Sequence, residues 1–261
     1  MVSHGYDVVN ADISSGPDQG ARFVAVDVTD FGQVVLVTKG ADAIIQMAAI
    51  PNPIMAPDHE VFRVNMVFNW NVLEAAEIHD IPKLALASSV NAIGAVFSKA
   101  PVAPEYFPID EQHPTRVEDG YAQSKWLGEE MANAFCRCRE VQIASMRFHA
   151  LMDDETQRKR QEVPVTKPTG KSSMDFRGWT DLQDAVRACR LAIEKDWRGH
   201  EVFFINGDET TLSIPTLEAI VHVYPGVPLR KPLDGFASVL DTSKAERIMG
   251  WVHETQRVRN G

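Results

Sequence analysis

The sequence predicts an α/β protein built on a doubly wound parallel sheet with helices on both faces. Two observations carry that expectation. Short apolar runs alternate with longer segments of helical period over the first 150 residues or so, which is the order of a sheet covered on both sides. The run Leu84-Ala85-Leu86-Ala87 then ends in Ser88-Ser89, so polar groups stand at the carboxyl end of a buried strand, where such sheets hold their ligands.

The elements follow in order. Asp7-Val8-Val9-Asn10-Ala11 reads as a short strand ending on Asp12, with the turn-prone Ile13-Ser14-Ser15-Gly16-Pro17 behind it. An acid at that place in a dinucleotide-binding sheet accepts hydrogen bonds from the adenosine ribose, which favours NAD; Asp12 also reads as a plain turn former. Arg22 to Val26 is a second strand, and Asp30 or Thr29 caps the helix from Phe31 to Lys39. Ala43 to Met47 is a third strand, leading into Ala48-Ala49, small residues that let a cofactor approach the backbone.

Val64, Val67, Phe68, Val72, Leu73 and Ala76 recur at helical spacing between Val61 and His79. Asn65 on this helix reaches toward the site wall, whereas Asn69 and Asn71 read as solvated or capping. Pro82 stops the segment before the Leu84 strand. Phe97 to Asp119 has no period and reads as a long loop covering a site. Gly120 to Phe135 is a helix, and Val141 to Arg147 a strand. Past Phe148, Asp153 to Ser173 is polar and irregular, a domain junction or lid. A helix from Thr180 to Lys195, a strand from Glu201 to Asn206, a helix from Ile214 to Tyr224 and a closing helix from Asp241 to Gly250-Trp251 complete the chain. The division expected is a cofactor domain over 1–150 and a smaller substrate-binding region over 151–261.

Bulk properties narrow the function. The chain has 261 residues, 44% hydrophobic and 24% charged, and a formal charge of -10. That acidity argues against a nucleic-acid groove or an anionic membrane surface. Arg158-Lys159-Arg160 reads as a solvated loop. Cys136, Cys138 and Cys189 have no framework spacing, which points to a reducing compartment, and no metal site is expected. With no apolar run of membrane length and no signal-peptide pattern, the expectation is a cytoplasmic protein.

The chemistry gathers at Ser89, Tyr121 and Lys125. Tyr121 and Lys125 are four apart, so on a helix they share a face. A free phenol titrates near about 10, and a neighbouring ammonium brings it toward the range of a useful base. Such a phenolate takes a hydroxyl proton while a carbinol hydrogen leaves as hydride, and Ser89 holds the substrate oxygen. Taken singly, a Y-x-x-x-K pair is also a common surface pattern, and paired serines are also a turn.

Together these residues resemble the NAD-dependent epimerase/dehydratase family of the extended short-chain dehydrogenase/reductase superfamily, over almost the whole chain. Ser89 stands five residues before Gly94, as the catalytic serine stands in that family's S-S-x-x-x-x-G element, and Tyr121 and Lys125 match its YxxxK motif. The closing Leu240-Asp241-Thr242-Ser243-Lys244-Ala245 to Gly250-Trp251 is similar to its D-x-S-K-A…LGW ending. The resemblance implies a Rossmann-like sheet, NAD as cofactor, a sugar or sugar acid as substrate and a homodimer through the helices from Val61 and Gly120. It implies Asp12 at the ribose, Asp27 and Val28 at the adenine, Ala48 and Ala49 under the phosphates, Asn65 on its helix, and Ser88, Tyr121, Lys125 and Phe148 around the nicotinamide end. His149 stands beside this set and reads as a structural hydrogen-bonder.

The family opens with a strand, a glycine-rich turn and a helix, and the present sequence contains no such element; Met1 to Tyr6 resembles the tail of that helix, with about 20 residues lacking by average element lengths. The expectation is an N-terminally truncated chain that binds NAD weakly or not at all. Ile93 replaces the usual aromatic before the glycine, and Phe68-Asn69 the usual Gly-Thr. The connection after Asp153 is short for a nucleotide-sugar epimerase, and the size resembles the uronate-dehydrogenase-like branch. Three readings follow: an NAD-dependent oxidoreductase of a sugar-like alcohol, a nucleotide-sugar epimerase or dehydratase, and a non-catalytic homologue. Val90-Asn91 supplies no acid where a dehydratase usually has one.

Overall fold

A computed structural model of the chain describes residues 1–17, 20–94, 96–97, 102–161 and 175–255. Strands and helices alternate as β1 (Val9–Asp12), β2 (Arg22–Ala25), α1 (Phe31–Thr38), β3 (Ala43–Gln46), α2 (Asp58–Ile78), β4 (Lys83–Ser89), α3 (Gly120–Cys136) and β5 (Gln142–Phe148). There follow β6 (Leu151–Met152), α4 (Asp154–Gln161), β7 (Thr180–Asp181), α5 (Leu182–Glu194), β8 (Gly199–Ile205), α6 (Thr216–Val223) and α7 (Ser243–Met249). The strands of each sheet run parallel, as expected for an α/β fold.

The central sheet has the order β3-β4-β5-β8, and β1 pairs with β2 in a separate two-stranded sheet. Among the described residues no strand joins β1 to β3. The two pieces nevertheless share one core: Ala11 of β1 and Ile44 of β3 both pack against the cluster of Val34, Phe68, Val72, Leu84 and Ile143. Met1 to Tyr6, read as the tail of a helix, holds a short 3-10 turn over Val2–His4.

The period-two alternation of a strand decides which side chain meets which helix. Leu84 and Leu86 of β4 and Ile143 of β5 face the core containing residues of α2 and α3. Ala85 of β4 and Ala144, Met146 and Phe148 of β5 face the opposite core, with Ala185, Ala188 and Cys189 of α5 and Ala245, Met249 and Trp251 at the chain's closing helix. The same alternation places Ser88, Ser145 and Arg147 on the α3 side, where they are buried. A third core joins Val90 and Ile93 to Phe107, Ile109, Ile220 and Leu240, so the loop before α3 is strapped to the C-terminal segments.

The central sheet draws strands from both sides of residue 150, since β8 pairs with β5 from Gln142 beside Gly199 to Phe148 beside Ile205. The segment read as irregular from Asp153 contains α4, and residues 162–174 lie outside the described residues. This helix has no apolar stripe to signal it; it is laced by Arg158 to Asp154 at 3.8 Å and Lys159 to Glu155 at 2.6 Å, pairs one turn apart. Arg158 and Lys159 therefore belong to a helix and not to a loop. Among the described residues no helix is long and apolar enough to cross a membrane.

Candidate active site

β4 and β5 stand in register from Lys83 beside Gln142 to Ser89 beside Phe148, so both strands end at the same level. Ser89 leaves β4 in extended geometry and caps a short 3-10 turn over Val90–Ile93. Its Oγ accepts from the Asn91 backbone N–H and from Asn91 Nδ2, each at 3.1 Å. Two donors aimed at one hydroxyl oxygen turn its own proton outward. Gly94 ends the turn at φ +81°, and a Cβ there would lie 2.1 Å from the Arg116 carbonyl oxygen, so only glycine lets the next loop cross so closely.

α3 supplies the other two groups. Asp119 caps it, Oδ1 accepting from the Ala122 N–H at 2.8 Å, which fixes the first turn carrying Tyr121. One turn on, Lys125 Nζ donates to the Ala87 carbonyl oxygen of β4 at 2.7 Å and lies 5.7 Å from the centre of the Tyr121 ring. The Tyr121 hydroxyl stands near Ser89, which stabilises its ionised form. Ser89, Tyr121 and Lys125 thus converge, and all three line a cavity of about 610 Å³ together with Ala49, Asn91, Phe148 and His149.

Burial pushes the Tyr121 phenol above its ordinary value, the hydrogen bond from Ser89 pulls it down, and the Asp119 carboxylate raises it. Burial also lowers the Lys125 ammonium to about 8, opposed by the charge of Glu129. At neutral pH Lys125 is therefore still a cation, and its charge favours the phenolate.

The remaining expected residues fall into two groups. Ala49 and Phe148 line the cavity. Ser88 also borders it, but its hydroxyl donates to Glu129 Oε1 at 2.5 Å behind the strand. Asn65 latches the loop after β3: Oδ1 accepts from the Ile50 N–H at 2.9 Å, while Nδ2 lies 3.2 Å from the Ile50 oxygen and 3.2 Å from Ser124 Oγ. It ties Ile50, just past Ala48 and Ala49, to α2 and reaches Ser124 of α3. Asp12, Asp27 and Val28 stand at or just past the carboxyl ends of β1 and β2, away from the cavity lining. Asp12 accepts from the Ser14 N–H at 3.1 Å. Asp27 is held below the usual carboxylate range by the Thr29 hydroxyl and N–H. His149 accepts from the Ala150 N–H at 2.7 Å through Nδ1, leaving Nε2 to donate to the Asp175 oxygen at 2.7 Å.

Several residues escaped the sequence reading. Asn69 and Asn71, expected to be solvated or capping, are buried: Asn69 Oδ1 accepts from Gln46 at 3.1 Å, and Asn71 Nδ2 donates to the Val28 oxygen at 3.0 Å. Neutral amides in a helix carry no signal of which face they take. Glu129 and Arg147 form a buried two-pronged ion pair at 2.9 and 2.7 Å directly behind Ser88. Extending the Tyr121 to Lys125 spacing by one more turn reaches Glu129, and an arginine inside an apolar strand asks for such a partner.

Comparison with known proteins bears on the same residues. A 30% identical relative over 182 residues, spanning 67% of this chain and 69% of its own, is the L-arabinose 1-dehydrogenase (NAD(P)(+)) of Haloferax volcanii. A protein of Methanocaldococcus jannaschii with a provisional UDP-glucose 4-epimerase assignment is 26% identical over 97% of this chain and 88% of its own. Among solved structures, a short-chain dehydrogenase/reductase superfamily protein of Agrobacterium tumefaciens with bound NAD superposes with a TM-score of 0.71 at 19% identity, over 98% of this chain and 88% of that one. The profile of the NAD dependent epimerase/dehydratase family matches residues 1–205, and the chain belongs to that family.

Proposed function

We propose that the chain is an NAD-dependent oxidoreductase that moves a hydride between a sugar-like alcohol, such as a free sugar or sugar acid, and NAD. The observation that carries this reading is the meeting of a phenol, a buried ammonium and a strand-end hydroxyl at one cavity. The arabinose dehydrogenase among the relatives supports a free sugar.

The residues present fit the nicotinamide-ribose end of that cofactor. Lys125 borders the cavity and, among the described residues, has one hydrogen bond, to Ala87, so an ammonium with three N–H groups has donors left for ribose hydroxyls. Bound NAD supplies the hydride acceptor. Ser89 donates to the substrate oxygen and fixes it beside Tyr121. Tyr121, beside a Lys125 ammonium that favours its phenolate, takes the hydroxyl proton as the carbinol hydrogen departs. Phe148 shields the reacting carbon from water, and His149, Ala150, Leu151 and Asp175 border the side where residues beyond 150 take up substrate.

The Methanocaldococcus relative favours a second reading, in which the same residues return the hydride to a nucleotide sugar. Net NADH formation separates the two. Purified protein incubated with NAD and free aldoses or uronates is expected to accumulate NADH; interconversion of UDP-sugars without net NADH assigns the epimerase, and neither outcome with cofactor bound refutes both. The proposal extends to a cytoplasmic homodimer joined through α2 and α3; Trp70 on α2, 53% exposed, supports such a contact.

A further inference from the structure

We propose that Asn91 is a positioning residue for the proton chemistry of this site: its side-chain amide holds the Ser89 hydroxyl with the oxygen turned inward and the proton turned to the cavity. The inference rests on the reading of Ser89 and Tyr121 given above and adds a residue to it. A serine hydroxyl left alone rotates to suit whichever donor or acceptor it meets. Ser89 is denied that freedom by the turn that follows it, where the Asn91 backbone N–H and Asn91 Nδ2 both donate to its Oγ, each at 3.1 Å. With both lone pairs engaged, the hydrogen is left for the cavity that Ser89, Asn91 and Tyr121 line together.

The amide is itself held in place. Val90 and Ile93, on either side of it, are buried in the core that joins the loop before α3 to the C-terminal segments. The Gly94 N–H closes the turn on the Asn91 carbonyl oxygen at 2.9 Å, and the Arg116 N–H donates to the Ile93 oxygen at 3.0 Å. Asn91 is only 8% exposed, yet its Oδ1 has no hydrogen-bond partner among the described residues. A buried amide oxygen without a donor is unfavourable, and its presence asks for a reason. Turned over, the amide would satisfy that oxygen by accepting the Ser89 proton, and the cavity would lose its donor. The side chain instead leaves its acceptor unmet and spends its donor on Ser89. The direction of hydrogen bonding thus runs from Asn91 to Ser89 to the reacting oxygen, and from an alcohol substrate on to Tyr121.

The test reverses the polarity of the amide and requires no turnover. In Asn91→Asp the side chain offers acceptors only and takes the Ser89 proton; in Asn91→Leu the donor is gone and no charge is added. The readout is the ionised fraction of Tyr121 at about pH 10. It comes from the ultraviolet absorbance of the four tyrosines, less that of the same variant carrying Tyr121→Phe. The other titratable and charged groups around the phenol, Lys125 and Asp119 on α3 and His149 and Asp175 on the cavity wall, are the same in every variant. Asn91→Asp is expected to lower the ionised fraction about tenfold and Asn91→Leu about threefold. In a Ser89→Ala background Asn91→Leu is expected to change nothing, and Asn91→Asp to act less strongly than in native protein, through its charge alone. Equal effects with and without the Ser89 hydroxyl overturn the proposal, and so does an unchanged fraction in Asn91→Leu. If Asn91→Asp fails to fold, the Asn91→Leu comparison decides by itself. The expected pattern in a protein that oxidises no alcohol leaves the link from Asn91 to Ser89 standing and removes the activity assignment instead.

Discussion

Lys125 is held at a thermodynamic cost, and replacing it by methionine measures that cost. Its ammonium titrates near 10.5 in an unstructured chain and at about 8 in the folded protein. Between those values the unfolded chain binds more protons than the folded one, so native stability rises with pH across that window and the full penalty stands below it. The difference amounts to about 3 kcal/mol at neutral pH. Lys125→Met removes the charge, keeps a similar stem, and leaves the Ala87 oxygen without its donor at a cost of about 1 kcal/mol. The net gain expected is about 2 kcal/mol, or a rise of about 4–8 °C in Tm. Thermal unfolding followed by circular dichroism at neutral pH measures it. The advantage should shrink as pH climbs from 8 toward 10.5. A variant no more stable than the native protein at pH 7, or a gap that ignores pH, refutes the reasoning. The same variant should lose turnover, a stability gain set against activity.

Other outcomes follow from the same geometry. Tyr121→Phe should lower turnover by about 10²–10⁴-fold while NAD affinity, read by fluorescence titration, stays nearly native, because the ring and Lys125 remain. Ser89→Ala removes the hydrogen bond that lowers the Tyr121 phenol, so the rise of kcat/KM with pH should move to higher pH; a shift to lower pH contradicts that polarity. Gly94→Ala drives a Cβ into the Arg116 carbonyl from a left-handed backbone, and a melting temperature within a degree or so of the native one would show that the crossing is looser than described. The proposed homodimer predicts that native protein sediments as a dimer and Trp70→Glu as a monomer with its core intact, since Trp70 is half exposed; a native monomer contradicts it.

The proposed trio of Ser89, Tyr121 and Lys125 was legible because its signals are local. Tyr121 and Lys125 declare themselves by spacing on one helix, and Ser89 by ending an apolar strand. The cap of α1 was narrowed to Asp30 or Thr29 for the same reason, and Asp30 fills it, Oδ1 accepting from the Gln33 N–H at 3.1 Å. What remained hidden depends on partners distant in sequence. Arg147 and Glu129 are separated by a helix end, a turn and a strand, and only the packing of α3 against β5 brings them together. Asn69 gives no hint of burial until Gln46 of β3 is seen opposite it. The sheet membership of β8 was equally remote, since a strand that returns after two helices looks, in the sequence, like the start of another region. α4 was missed because its stabilising pairs are ionic and its surface has no apolar stripe.

The account stands on proton removal by Tyr121 coupled to hydride departure from an alcohol carbon. The most direct measurement incubates the native protein with NAD and an aldose deuterated at its carbinol carbon, then reads the cofactor by mass spectrometry. Deuterium is expected in the reduced nicotinamide with native protein and not with Tyr121→Phe. Cofactor that binds yet never acquires the label, or label transfer that survives Tyr121→Phe at the native rate, contradicts it.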